Sequence, residues 1–495
     1  QRRNQHIGGL PSPSGAVQGR VSAYCRTWGA LMSRLDRAAT ISDLRLLAQR
    51  RLPHAVFNFI DGGAGDESCL RGNEAHLAAL QLMPRVAVDV SARSARTEIA
   101  GVRAELPLVI APTGLAGLFW PQGERLTAQI AARMGIPYCL STNSVDSMEE
   151  VAQAVDADSA ARPMTEPMTE TAQRAPGGPR GQAGDPAQPI AATAQGAPAA
   201  APTTAAPTAA ANETRVTERS STGARPHSER WFQLYFLKDE ALMDRMLERA
   251  RASGYRVLCL TLDLAMQGRR NRDIRNGFTV PLRPGLRMVA DVLRHPAWLA
   301  GYLCHGVSFG NFAESVPPGG FTSIAQHVSS LCDASADWDT VHRVAEKWGG
   351  PVVIKGVLHP DDARHAVDLG AAAVIVSNHG GRQLGEAVSA LSALPGVVAA
   401  VEGRAQVLLD GGVRTGVDVV KARALGADAC MIGRAVLWGL ASGGGPGVAR
   451  ALGILRDEID IAQAMLGYPE FAGIGAEALA PGMPVLATRP PDSLP

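Results

Sequence analysis

The chain has 495 residues, enough for one large barrel or several smaller domains, and an apolar content of 46% can fill a sizeable core. A formal net charge of +1 argues against a nucleic-acid binder. Its 7 cysteines (Cys25, Cys69, Cys139, Cys259, Cys304, Cys332, Cys430) lack the spacing of a metal knuckle or disulfide framework, so reduced cytoplasmic thiols and no metal site are expected.

From the start to about Gly29 the chain is rich in Arg, Ser and Gly and has no Asp or Glu, as in transit peptides. Met32 would make a natural start, and residues 1–39 are read as a disordered leader. From Thr40 to Pro53 the spacing of Ile41, Leu44, Leu46, Leu47 and Leu52 predicts a helix, with Thr40 or Ser42 as its cap. Leu106–Ile110 and Pro137–Leu140 read as buried strands, each running into a small polar loop (Pro112, Thr113, Gly114; Ser141 to Ser144). Residues 156–229 change abruptly to Ala, Pro, Thr, Gly and Gln with almost no large apolar side chain. Such a stretch cannot offset its chain entropy, and a disordered insertion is expected, more a solvated linker than a partner-binding segment.

Trp231–Tyr235 predicts the next strand, about 239–253 a helix, and Val257–Asp263 another strand with Thr261 and Asp263 at its end. Residues 281–337 form a long excursion whose centre mixes apolar and aromatic residues with a few cations. It suits a segment lying on a membrane surface and equally an ordinary lid over the active site. No apolar run reaches the roughly eighteen residues of a membrane-spanning helix. Pro351–Gly356 is a buried strand with Lys355 near its carboxyl end, where an ammonium lacking a counter-charge is costly. Two late turns, Asp410-Gly411-Gly412-Val413-Arg414 and Gly433-Arg434, place glycine amides and guanidinium groups where α/β barrels hold phosphate. Residues 479–495 are read as a loose tail. The alternation of strands and helices predicts a (β/α)8 TIM barrel interrupted by the insertion and the lid.

The most informative stretch is Val374–Leu384. A run ending in β-branched residues suits a buried parallel strand, and the turn after it presents Ser377, Asn378, His379 and Arg382 beside two glycines. An imidazole can take a proton near neutral pH, and a guanidinium can hold a carboxylate with two parallel bonds. Together they suggest proton abstraction from a substrate that carries a carboxylate. The string Ser-Asn-His-Gly-Gly-Arg-Gln resembles the active-site signature of the FMN-dependent 2-hydroxy-acid dehydrogenases and oxidases, which include glycolate oxidase, lactate oxidase and mandelate dehydrogenase. The resemblance spans about Ile41 to Gly475 outside the insertion.

This resemblance implies FMN as cofactor and oxidation of an (S)-2-hydroxy acid to the 2-oxo acid. It implies His379 as base, poised by Asp263, with Arg270 and Arg382 on the carboxylate and Tyr235 at the substrate hydroxyl. It implies that Lys355 stabilises the reduced flavin. Flavin contacts fall to Pro112, Thr113, Gly114, Ser141, Gln233, Thr261, Lys355, Ser377, Asp410, Gly412, Arg414, Gly433 and Arg434. Phe59 stands where the family carries a carboxylate-binding Tyr. Gly114 and Asn143, smaller than glycolate oxidase's Ala and Trp, favour a bulky, mandelate-like substrate, with L-lactate as runner-up. Similarity of the 281–337 segment to mandelate dehydrogenase favours a quinone-type acceptor, peripheral attachment to the inner face of the cell membrane and, by family habit, a homo-tetramer. The alternatives are an oxygen-using oxidase, a non-redox phosphate-binding barrel lyase or isomerase, and a silent flavoprotein scaffold.

Overall fold

A computed structural model describes residues 32–161, 230–278, 285–313 and 330–481. Eight parallel strands close into a barrel: β1 Leu108–Ile110, β2 Tyr138–Leu140, β3 Arg230–Leu234, β4 Val257–Thr261, β5 Val352–Val357, β6 Ala373–Ser377, β7 Gln406–Asp410 and β8 Ala429–Ile432. β8 pairs with both β7 and β1, so no edge is left open. The (β/α)8 expectation is met.

The strands are buried on both faces, and their period of two decides what each face does. Val109, Cys139, Trp231, Val257, Cys259, Val353, Ile375, Leu408 and Met431 point inward and fill the barrel. Their neighbours, such as Leu108, Leu140, Leu258, Ile354 and Val374, point outward into the layer shared with the helices. A hairpin of Thr97–Ile99 and Val102–Ala104 packs its apolar residues on the inward set and plugs it. One more inward step along each strand reaches Ala111, Ser141, Gln233, Thr261, Lys355, Ser377, Asp410 and Gly433. The carboxyl end of the barrel is therefore ringed by polar or small residues above an apolar plug.

The first predicted helix spans Ile41–Arg51, and its cap is Thr40, in a reciprocal box with Asp43. Several expected boundaries move. Residues 32–36 are helical, and Leu35, read as leader, is a core residue against Gly443. Residues 1–31 lie outside the described residues. Residues 156–160, read as insertion, continue helix Met148–Ala160, whose buried residues end at Val155; 162–229 lie outside the described residues. Leu479, read as loose tail, bridges Leu82, and Ala480 N–H donates to Gln81 O at 2.9 Å. The remainder, 482–495, is not described.

Of the 281–337 excursion, 285–313 and 330–337 are described. They hold two helices, Leu286–Leu293 and Pro296–His305. Trp298 anchors the pair by donating from Nε1 to Leu118 O at 2.8 Å. The first helix buries no residue, and Leu286, Val289 and Leu293, 90%, 48% and 66% exposed, share one face at helical spacing.

Candidate active site

The β6 strand delivers Ser377 inward, and the chain then turns through three left-handed residues, His379, Gly380 and Gly381 (φ 57°, 63° and 74°). A non-glycine residue at positive φ is strained by roughly 1 kcal/mol or more and persists only where its surroundings over-determine it. Here His379 N–H donates to Ser377 Oγ at 3.0 Å, and Gly381 N–H donates to Asn378 Oδ1 at 3.1 Å. The turn aims the imidazole at two partners. Nδ1 lies 2.9 Å from Asp263 Oδ1, just beyond the end of β4, and Nε2 lies 3.5 Å from the Tyr235 hydroxyl, just beyond β3. Burial alone would raise the Asp263 carboxyl. The His379 charge and hydrogen bond, with Lys355 nearby, outweigh it and hold the group below its ordinary value. Burial, reinforced by the Asp263 charge, pushes the Tyr235 phenol up, so it stays a donor.

Arg270 and Arg382 approach from the opposite side, their guanidinium carbons 5.8 and 5.2 Å from the centre of the Phe59 ring. Phe59 lacks the hydroxyl, yet its ring carries both cations by cation–π contact. Arg382 Nη1 donates to Phe59 O and Gly62 O at 2.8 and 2.9 Å. Burial, together with the Arg270 and Arg434 charges, lowers the Arg382 guanidinium well below its ordinary value. Burial also lowers that of Arg270, whose Nε has no partner. The carboxylate near these two cations is Asp273, buried in the cavity wall they share, whose Oδ2 lies 4.0 Å from Arg270 Nη1.

Lys355, at the carboxyl end of β5, is not without a counter-charge. Register pairs Ser377 with Asp410, and Lys355 Nζ reaches Asp410 Oδ2 at 2.7 Å and Ser377 Oγ at 2.9 Å. Burial would lower its ammonium, but Asp410 and Asp263 raise it. Asp410 thus serves Lys355 first. The late arginines are also engaged. Arg434 donates to Ile60 O, Gly380 O and Gly62 O, and Arg414 donates to Val413 O and pairs with Glu74. Burial and the Arg414 charge bring the Arg434 guanidinium down to about 10. Gly114 lines the cavity beside Asn143, from which a Cβ at 114 would lie 3.1 Å.

A cavity of about 530 Å³ joins these groups, within the range of cofactor sites. Pro112, Thr113, Gly114, Ser141, Tyr235, Arg270, Lys355, His379, Arg382, Asp410, Gly412, Arg414, Gly433 and Arg434 line it, with Phe59, Phe119 and Phe278. Gln233, Ser377 and Asp263 sit behind that wall, and Thr261 lines a neighbouring cavity that shares Tyr235. Among the described residues no group of three or more His, Cys, Asp or Glu could hold a metal ion.

An imidazole held by a buried carboxylate shares the barrel mouth with two guanidinium groups, an arrangement suited to an enzyme acting on small carboxylic acids, and comparison with known proteins gives its chemistry. A family model for FMN-dependent dehydrogenases matches residues 48–171 and 176–481, and the chain belongs to that family. It is an FMN-dependent 2-hydroxy-acid dehydrogenase of the lactate and mandelate type. The L-lactate dehydrogenase of Xanthomonas campestris pv. campestris (strain B100) is 36% identical over 444 residues, 89% of this chain and 96% of that one. That of Ectopseudomonas mendocina (strain ymp) is 35% identical over 443 residues, 88% and 97% of the two chains. Among solved structures, the monotopic membrane protein (S)-mandelate dehydrogenase aligns with a TM-score of 0.72 at 32% identity, covering 90% of this chain and 99% of that one. A soluble mutant of the membrane-associated (S)-mandelate dehydrogenase from Pseudomonas putida aligns at 0.66 and 30% identity, covering 90% and 99%.

The residues present fit FMN. Gln233 Nε2 and Thr261 Oγ1, on the inward ring, and Arg414 Nε are buried without partners, as donors awaiting a polar ligand would be. Gly412 (φ 85°) lets the turn after β7 pack directly on helix Ser68–Ala79, since a Cβ there would lie 2.5 Å from Asn73 O. Gly412→Val is therefore expected to weaken FMN binding at least tenfold, because left-handed strain of about 1–2 kcal/mol adds to the clash. Fluorescence titration of apoprotein with FMN measures this, and an unchanged Kd refutes it.

Sequence reasoning missed Asp410 as the counter-ion of Lys355, and it missed Asn73. An Asp at the end of the strand after the histidine turn was the available signal for the first. Asn73, in a helix outside the barrel, gave none.

Proposed function

We propose that this enzyme oxidises an (S)-2-hydroxy acid with a bulky, aromatic side chain to the 2-oxo acid and passes the electrons to a quinone-type acceptor at a membrane surface. The observation that carries the chemistry is His379 between Asp263 and the Tyr235 hydroxyl, across one cavity from Arg270 and Arg382. The two guanidinium groups hold the substrate carboxylate: they share the carboxylate of Asp273 between them, and Arg270 Nε is buried without a hydrogen-bond partner. Tyr235 donates to the substrate hydroxyl oxygen. His379 Nε2 takes one proton, and ionised Asp263 stabilises the imidazolium and fixes which nitrogen is free. The hydroxy acid loses two protons and two electrons in all. FMN, which the glycine–arginine turns with Gln233, Thr261 and Lys355 would hold, supplies when bound the acceptor for both electrons and the second proton.

The rings of Phe59, Phe119 and Phe278 line the cavity and favour an aromatic side chain. The L-lactate dehydrogenase relatives make L-lactate the second candidate. An anaerobic flavin-bleaching assay with both acids decides. Faster bleaching by (S)-mandelate, with slow reoxidation in air and acceleration by a soluble quinone, is expected. Preference for lactate overturns the aromatic assignment, and fast oxygen turnover with no gain from quinone overturns the acceptor.

The apolar face of helix Leu286–Leu293 supports peripheral attachment, with Leu303 of the second helix 72% exposed. No helix among the described residues is long and apolar enough to cross a membrane. Leu286→Glu with Leu293→Glu is expected to abolish co-sedimentation with phospholipid vesicles while mandelate bleaching is retained; unchanged sedimentation refutes this surface.

A further inference from the structure

The histidine turn is bolted to a helix that belongs to no β-α unit of the barrel. Helix Ser68–Ala79 buries Asn73 against the turn, 1% exposed. Asn73 and Asn378 form a reciprocal amide pair: Asn73 Nδ2 donates to Asn378 Oδ1 at 2.9 Å, and Asn378 Nδ2 donates to Asn73 Oδ1 at 2.8 Å. Asn378 Oδ1 is the atom that also accepts Gly381 N–H, closing the left-handed turn around His379. Asn73 Oδ1 further accepts Ala390 N–H at 3.1 Å, and Asn378 Nδ2 reaches Val388 O at 3.0 Å, so both ends of the 378–390 loop meet on this pair.

The same helix touches the late glycine turn. Asn73 O lies where a Gly412 side chain would stand, and Glu74, the next residue, pairs with Arg414 at 2.7 Å. One helix turn thus contacts both the segment that carries the base and the segment assigned to the phosphate.

We infer that Asn73 is a positioning residue for the hydroxy-acid oxidation, acting through Asn378 to hold the strained His379 turn in register with the glycine–arginine phosphate turn. The inference rests on the function proposed above. Asn73 touches neither substrate nor reacting atoms, and its effect is geometric. A strained turn needs partners on both sides, and a displacement of about 1 Å at a catalytic group can lower a rate by roughly a hundredfold.

The test uses FMN-loaded Asn73→Ala and Asn73→Asp. The second keeps the size and the acceptor oxygen but removes the donor to Asn378 Oδ1. Both are compared with the unmodified enzyme for flavin content, melting temperature and anaerobic bleaching by (S)-mandelate and L-lactate over a range of concentrations. The expected result is a limiting bleaching rate lowered about 10- to 100-fold, with the half-saturating concentration changed less than about threefold because Arg270 and Arg382 remain. A merely structural role would lower the melting temperature without this split. If Asn73→Ala fails to fold, Asn73→Asp decides. An FMN-loaded, folded Asn73→Asp variant that bleaches at the unmodified rate overturns the inference. If the unmodified enzyme bleaches with neither acid, the proposed substrate class fails instead, and the two failures are distinct.

Discussion

Replacing His379 by Asn is expected to slow substrate-driven flavin bleaching about 10²- to 10⁴-fold, the usual contribution of a positioned general base. Asn is the informative choice, because it tolerates the left-handed backbone of φ 57° that a β-branched residue would not, and its amide takes no proton near neutral pH. Flavin content should be unaffected, since the substitution keeps the backbone N–H that bonds Ser377 and leaves the glycine–arginine turns in place. Stopped-flow absorbance under anaerobic conditions measures the rate, and a loss of less than tenfold would remove His379 from the role of base. The acid side of the profile has a defined sign. Asp263 is held below its ordinary value, so its stabilising contribution is present above the unfolded carboxylate value of about 3.9 and is lost as pH falls through the folded one. Loss of the Asp263–His379 ion pair through the carboxylate is therefore confined to pH below about 4.

Lys355→Met should produce the largest loss of stability. It strands the Asp410 carboxylate, 8% exposed, after removing the ammonium 2.7 Å away. Breaking one side of a buried pair costs about 3–5 kcal/mol, and replacing both sides is milder because no lone charge remains. The melting temperature of the FMN-loaded protein should fall in Lys355→Met and recover in part in Lys355→Met with Asp410→Asn. Bleaching should stay slow in both, because the cation beside the flavin site is gone. Equal melting temperatures for the two variants would mean that the ion pair is not the source of the loss. The sign of the Lys355 shift is upward. Its contribution is full below the unfolded lysine value of about 10.4 and is lost only as pH rises through the higher folded value, so the comparison holds across the neutral range.

Membership of an FMN-dependent family and a (β/α)8 fold were legible before any coordinates, for different reasons. The fold follows from buried strands of period two separated by amphipathic helices, and each strand ends on a polar or small residue at its inward position. Continuing the alternation from Val353 to Lys355, or from Ile375 to Ser377, already places those side chains in one ring. The proposed base and its proposed carboxylate-binding partner were legible because His379 and Arg382 share one turn. Local chemistry also set the helix cap at Thr40 and the positive-φ glycines of the phosphate turn.

Partners that meet only when the barrel closes were not legible. Lys355 and Asp410 come from β5 and β7, and β6 brings Ser377 between them. Asn73 and Asn378 are 305 residues apart and meet because helix Ser68–Ala79 packs on the loops that follow β6 and β7. Arg434, read from the sequence as a phosphate ligand, donates to three backbone carbonyls of other loops, and no side-chain pattern encodes a carbonyl acceptor. Composition misplaced the ends of the fold for a related reason. Leu35 sits in a window dominated by polar or small residues yet joins the core, and helix Met148–Ala160 runs past residue 156 on backbone hydrogen bonds although its last turn buries no side chain. Sequence determines which face each side chain takes and what chemistry it carries. Tertiary structure alone decides which charges neutralise one another, because pairing depends on distance in space and separation along the chain carries no record of it.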